Sequence, residues 1–508
     1  MNAPPRLPTF AFDNSYARDL SGFYVAWKPA AVPAPRLLHL DRTLAAELGL
    51  DAEALGSELG AAIFAGNLVP DGAEPIAQAY AGHQFGHYSP QLGDGRALLL
   101  GEVVDRQGRR RDIAWKGSGR TPFSRGGDGK AAVGPMLREV LISEGMHALG
   151  IPTTRALAVA ATGEAVYREV ELPGAVLTRV AASHLRVGTF QYFAGRGEVG
   201  RLKQLLDYTI ARHDPQLAGA PDAPFALLRA VAERQAALVA QWMNVGFIHG
   251  VMNTDNMAIS GETIDYGPCA FLEAYDPKAV FSSIDHGGRY AYANQPPIAR
   301  WNLARLAEAL LPLVAKPDDE AALQRAIEQA MAVIDAYPGL YDTAWRSGQR
   351  AKLGLRTAEA GDAALADDWL ALLQAQQVDH TLAWRRLADA AAGSAEGLRA
   401  LVAEPAALDG WLARWRSRCA AEDGDAAGTD AAARDRAEHL RRTNPLVIPR
   451  NHRVEEALAA ASEHDDLGPF EQLLAALRRP YDDDPALARY AEPAPAAVTA
   501  CYRTFCGT

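Results

Sequence analysis

A change of hydrophobic period part-way along the chain limits its fold more than any other feature. Up to about residue 180 the apolar residues gather in short β-forming runs, and beyond that point they recur at helical spacing. Residues 97–104, with Leu98, Leu99 and Val103, follow the turn Gly93-Asp94-Gly95 and read as a strand; residues 112–116, 155–160 and 175–180 read as further strands. One helix interrupts them. Pro135 suits a first helical turn, whose N–H groups lack partners in any case, Leu137, Val140, Leu141 and Ala148 make an apolar stripe, and Gly150 stops it. Later, Leu227, Val231, Leu238 and Trp242 share one helical face, and Leu303, Leu306, Leu310 and Leu313 share another. The expectation is an α+β chain: a strand-rich part holding one helix, then a helical part. Residues 1 to about 75 form a mixed leading segment with helical spacing over 40–50. Residues 420–438, rich in Ala, Asp and Gly, are either a mobile excursion or a frayed helix.

Length and charge remove whole classes of function. With 508 residues the chain holds about two to four domains, or one two-lobed core with extensions. A formal net charge of −11 argues against a nucleic-acid or anionic-membrane partner, because neutralising phosphates takes a basic surface. The first twenty residues lack an apolar core behind a basic start, and no run reaches the roughly 18 apolar residues of a membrane helix. Cys269, Cys419, Cys501 and Cys506 form no CxxC pair, which fits a reducing, cytoplasmic setting.

Four segments carry residue types suited to transfer from a nucleoside triphosphate. That chemistry needs cations on the phosphates, hard oxygen ligands for a metal, and a positioned acceptor. Lys116 closes the run Asp112-Ile-Ala-Trp-Lys116, where it is either a phosphate contact or a solvent-facing strand end. Glu139, on the expected helix, is either its ion-pair partner or a surface acid beside Arg138. His249-Gly-Val-Met-Asn-Thr-Asp-Asn256 and Asp265-Tyr-Gly267 resemble a kinase catalytic loop and a metal-binding Asp-x-Gly turn, with Asn256 and Asp265 as the oxygen ligands. Each piece alone has a bland reading as a turn; their order along the chain is that of a protein kinase.

The loop departs from the kinase pattern at its most important position. The catalytic aspartate of H-R-D stands two residues after the histidine, and here that residue is Val251. An acid returns at Asp255, directly before Asn256. Either the core is catalytically dead or its chemistry runs from a shifted carboxylate. His83 and His87 lack a clear third ligand and are assigned hydrogen-bonding roles.

Several runs resemble the selenoprotein O family: Phe12-Asp-Asn-Ser15, Gly82-His-Gln-Phe-Gly86 followed by Ser89 to Arg96, Trp115-Lys-Gly-Ser-Gly-Arg-Thr-Pro-Phe-Ser-Arg125, the 249–256 loop, Asn444-Pro445 and Arg450-Asn451, and a cysteine near the C-terminus. The resemblance implies a two-lobed, protein-kinase-like (pseudokinase) fold: an N-terminal extension over residues 1–78, an N-lobe over 79–187, a helical C-lobe over 188–400 and a C-terminal helical extension over 401–508. It implies a protein adenylyltransferase that binds ATP in reversed orientation and transfers AMP to Ser, Thr or Tyr hydroxyls of proteins, with magnesium as cofactor and manganese as its alternative. Gly93, Gly95, Arg96, Lys116, Asp128, Gly129, Arg179, Arg186 and Asp265 would then contact nucleotide, Asn256 and Asp265 metal, Glu139 would hold Lys116, and Asp255 would be the catalytic acid/base. Cys506 stands where some members carry selenocysteine, so it is either a redox group or an unreactive tail thiol. An ordinary kinase transferring the γ-phosphate and a non-catalytic nucleotide-binding scaffold are the competing functions.

Overall fold

The computed structural model describes residues 8–505. Ten strands precede residue 182: β1 (Tyr24–Ala26), β2 (Arg36–Leu40), β3 (Ile76–Gln78), β4 (Gly82–Gln84), β5 (His87–Ser89), β6 (Ala97–Val104), β7 (Arg110–Lys116), β8 (Ala131–Ala132), β9 (Arg155–Tyr167) and β10 (Glu171–Ala181). Eight form one antiparallel sheet in the order β1-β3-β6-β7-β10-β9-β2, with β8 beside β10, while β4 and β5 pair as a separate hairpin. Three of the eight strands come from the first 78 residues.

Side-chain alternation gives the sheet two different faces. Ile113 and Trp115 of β7 point the same way as Leu98, Leu100, Val176 and Val180, and pack against Leu44, Leu48, Leu55, Ile63 and Phe64 from the leading segment. The opposite face carries Leu99, Ala114 and Leu177 into a second cluster with Leu137, Val140 and Leu141 of helix α1 (Val133–Ala148). Charged residues share that second face. Glu102 and Asp112 lie opposite one another on β6 and β7 and both receive the buried Arg212, the Asp112 contact at 2.5 Å; Glu102 also accepts the Tyr16 N–H at 2.9 Å. Leading segment, sheet and helical part therefore meet at one buried ion network.

Beyond residue 186 the chain is largely helical: α2 (Val187–Ala194), α3 (Val199–His213, which carries Arg212), α4 (Ala223–Val245), α5 (Gln295–Leu310) and α6 (Glu320–Lys352). α4 stops at Gly246, whose φ of +77° an L side chain rarely adopts. Short strands β11 (Phe247–Ile248) and β12 (Ala270–Phe271) then pair across the base of the 249–269 loop. Farther on, Trp369, Trp384, Trp411 and Trp415 form a third cluster with Leu353 and Leu440, the rings of Trp369 and Trp411 lying 4.3 Å apart.

For residues 420–438 the structure takes the helical alternative. α7 (Pro405–Asp423) and α8 (Asp430–Thr443) flank a short turn, and Arg436 staples them through Glu422 at 3.0 Å and Asp423 at 2.5 Å. The motif residues near the C-terminus are clamps: Asn451, first residue of α9 (Asn451–His464), exchanges two hydrogen bonds with Phe271 of β12, and Asn444 donates to the Lys352 carbonyl at 2.9 Å. No helix among the described residues is long and apolar enough to cross a membrane.

Candidate active site

The register of the sheet decides which cations converge. Lys116 lies opposite Leu177, so Arg179, two residues along β10, projects from the same face. Lys116 Nζ and Arg179 Nη1 both donate to Asp265 Oδ1, at 2.7 and 2.8 Å, and Arg186 Nη1 donates to Oδ2 at 3.2 Å. Lys116 Nζ also donates to Glu139 of α1. Three cations thus meet two carboxylates directly in a buried cleft, with Asp94 and Asp255 also acting on Arg186. Burial alone would raise the Asp265 pKa, but Arg179, Lys116 and Arg186 outweigh it and hold the carboxyl well below the usual range. Asp265 sits at φ +64°, a left-handed conformation that aspartate visits more readily than most residues.

The 249–256 loop is pinned to this cluster by a buried, neutral histidine. His249 Nε2–H donates to the Ile264 carbonyl at 2.9 Å, its Nδ1 accepts the Val251 N–H at 3.4 Å, and its own N–H donates to Gln295 at 2.9 Å. Val251 is buried and apolar. Asp255 is also buried, but one oxygen accepts only a long 3.4 Å bond from Gln84 Nε2 and the other, Oδ1, has no hydrogen-bond partner among the described residues. Burial pushes its pKa up to about 6 against the pull of Arg186, whose Nη1 donates to the Asp255 carbonyl at 2.8 Å. Asn256 Nδ2 donates to the Val251 carbonyl at 3.0 Å, and its Oδ1 accepts no hydrogen bond among the described residues.

The remaining expected residues divide. Gly93, at φ +77°, packs so closely on Phe123 that a Cβ would lie 2.4 Å from the ring, and a Cβ on Gly95 would lie 2.9 Å from the Phe123 carbonyl. The Arg96 carbonyl accepts the Gly117 N–H at 2.7 Å, which sets the glycine turn beside Lys116. Asp128 stands apart from the Asp265 contacts: it is exposed, and its carboxylate takes Arg168 at 2.8 Å and the Lys130 N–H at 2.9 Å. The Gly129 carbonyl accepts the Gly119 N–H at 3.0 Å. His83 Nδ1 meets Gln191 Nε2 at 2.8 Å, and no group of three His, Cys, Asp or Glu among the described residues is arranged to hold a metal. Cys506 lies outside the described residues.

Sequence reasoning missed Gln84 and Tyr80. Gln84 supplies the bond to Asp255, and the Arg186 guanidinium lies over the Tyr80 ring at 4.7 Å. Gln84 was in view within the Gly82–Gly86 run, but nothing local announces that it meets a loop 171 residues away.

Residues 6–478 match the family described as protein adenylyltransferase SelO. The chain belongs to this family. SelO membership makes it a nucleotidyltransferase by class, as the resemblance implied. Relatives named "Protein nucleotidyltransferase YdiU" cover nearly all of it: one from Cereibacter sphaeroides is 62% identical over 501 residues, covering 98% of this chain and 100% of the relative. Another from Chromobacterium violaceum is 62% identical over 486 residues (95% and 99%), and one from Methylorubrum extorquens is 57% identical over 507 residues (98% and 99%).

Proposed function

We propose that this protein transfers AMP from ATP to Ser, Thr or Tyr hydroxyls of proteins, on a two-lobed, protein-kinase-like core in which the triphosphate lies reversed. Residues 79–187 and 188–400 act as the two lobes, with extensions before and after. The observation that carries this reading is the displaced acid. The place of the kinase base holds buried Val251, whereas Asp255 has a buried carboxylate oxygen without a hydrogen-bond partner among the described residues, beside the cation-gripped Asp265.

Lys116, Arg179 and Arg186 grip the far phosphates and stabilise the charge that gathers on departing pyrophosphate. Asp255 takes the proton of the acceptor hydroxyl as its oxygen forms a bond to the α-phosphorus and the bond to pyrophosphate breaks. Gln84 and the close approach of Gly82 keep that carboxylate oriented. Glycines at 93 and 95 hold the turn against residues 121–124 and so fix the roof of the cleft beside Lys116.

The donor set fits a divalent cation carried with the nucleotide. Asn256 Oδ1 and the Asp265 carboxylate are hard oxygen ligands, and magnesium is ordinarily held by one or two such groups plus phosphate oxygens and water, without a protein cage of its own. Magnesium, or manganese in its place, would spread the triphosphate charge when bound. The free thiols of Cys269, Cys419 and Cys501 accord with a reducing, cytoplasmic setting.

Parallel assays with α-labelled and γ-labelled ATP decide the matter. Label from the α-phosphate should become attached to protein, and Asp255→Ala should lower its rate by about 10²–10⁴-fold, the usual worth of a general base, while sparing ATP binding. Transfer of γ-label alone would make the protein an ordinary kinase, and transfer of neither label across a broad protein extract would make it a scaffold.

A further inference from the structure

A patch beside Asp255 has no part in the chemistry just described. The β4–β5 hairpin that supplies Gln84 turns at Phe85 and Gly86, and its outer strand leaves Tyr88 43% exposed. Arg289 packs on that turn: a Cβ built on Gly86 would lie 3.6 Å from its Cζ. The loop holding Arg289 is itself braced, because the Asp285 carboxylate accepts the N–H groups of Arg289 and Tyr290 at 2.9 and 2.8 Å. Its guanidinium lies over the Trp301 ring at 4.8 Å, and Trp301 meets His83 of the hairpin edge-on at 5.2 Å.

The segment after the hairpin meets a second cation, from the turn that follows α2. Arg196 lies over the Tyr192 ring at 3.5 Å and donates to the Pro90 carbonyl at 2.9 Å. Neither Arg289 nor Arg196 has a carboxylate partner among the described residues, and Arg289 Nε is buried without a hydrogen bond. The Arg289 guanidinium, seated on an aromatic face, keeps N–H groups for an incoming carboxylate, whereas Arg196, which also donates to the Tyr192 carbonyl at 3.2 Å and to Gln91 Oε1 at 3.4 Å, would exchange these neutral acceptors for one. In a chain of net charge −11, two cations without a carboxylate partner on one patch are a place for an acidic group to dock.

We propose that Tyr88, Trp301, Arg289 and Arg196 form the docking surface for the acceptor polypeptide, and that the two arginines select acceptors with acidic side chains close to the modified hydroxyl. The inference rests on the AMP-transfer reading of Asp255. Charge matched across such a surface governs partner choice and encounter rate more than total affinity.

The test uses fluorescein-labelled synthetic peptides, each with one serine flanked by glutamates, glutamines or lysines. In anisotropy titrations of the full chain without nucleotide, the glutamate peptide should bind roughly tenfold more tightly than the lysine peptide. Arg289→Gln should remove most of that preference and Arg289→Glu should invert it, with ATP binding used to verify that each variant is folded. The values of kcat/KM for AMP transfer should follow the same order. Equal binding of the three peptides, or an unaltered order in folded Arg289→Glu, overturns the docking surface. Charge-selective binding without AMP transfer to any peptide overturns the functional reading and leaves the surface standing.

Discussion

One methyl group is enough to probe how tightly the acid is seated. A Cβ on Gly82 would stand 2.5 Å from Asp255 Oδ1, closer than real carbon and oxygen atoms approach, so Gly82→Ala must push the carboxylate or the hairpin aside. Misplacing a reacting group by about 1 Å costs on the order of 10²-fold in rate. We expect α-label transfer by Gly82→Ala to fall by that order with ATP affinity kept; wild-type turnover would show that the packing has no bearing on the chemistry. At this scale much of the site was readable, because Lys116, Glu139, Asn256 and Asp265 stand in a kinase-like order and Val251 marks the exception. The environment of Asp255 was not. Its unpaired oxygen and its raised pKa come from burial beneath β4, and a sequence holds no record of which distant strand covers which loop.

Among the elements, the end of α6 makes the sharpest electrostatic claim. The Lys352 ammonium is buried 4.8 Å from the Trp384 ring centre, and burial lowers its pKa from 10.5 to about 7. Between those values the unfolded chain keeps a proton that the folded one gives up, so stability from this group rises with pH across the window, and the penalty is complete below about 7. Lys352→Met should therefore raise the denaturant midpoint at pH 7 and raise it much less near pH 10. An equal gain at both pH values, or a loss at pH 7, would contradict the assignment. The longer elements were legible for simple reasons: β6 and β7 carry runs of β-formers, and α1 has a proline start, an apolar stripe and a glycine stop. β1 and β3, three residues each, show no alternation to read, and they owe their place to neighbours already in the sheet. Residues 420–438 had the composition of a loose segment, yet Arg436 reaches back across the turn to Glu422 and Asp423 of the same segment, a pairing that composition alone does not reveal.

Across the whole molecule, the Arg212 network and Asp265 are two of the places where the sheet and the helical part meet. A nucleotide bridging Lys116 and Arg179 on one side and Asp265 on the other would bind the folded state alone. ATP with magnesium at a hundred times its Kd should then add about 2.7 kcal/mol of stability. Calorimetry with and without chelator should find that gain, and Asp265→Ala should abolish its magnesium-dependent portion; an undiminished gain in the variant would remove Asp265 from the metal site. The distribution of indole rings bears on how such binding can be followed. Four of the nine tryptophans, Trp369, Trp384, Trp411 and Trp415, belong to the third cluster, which contains none of the proposed site residues. These buried fluorophores will report the melting of their own cluster, so close to half of the indoles will add a constant background to a nucleotide titration. Trp301, which carries Arg289 and Arg305 on its ring, changes its emission as a polypeptide displaces Arg289 and is the natural optical sensor for the acceptor.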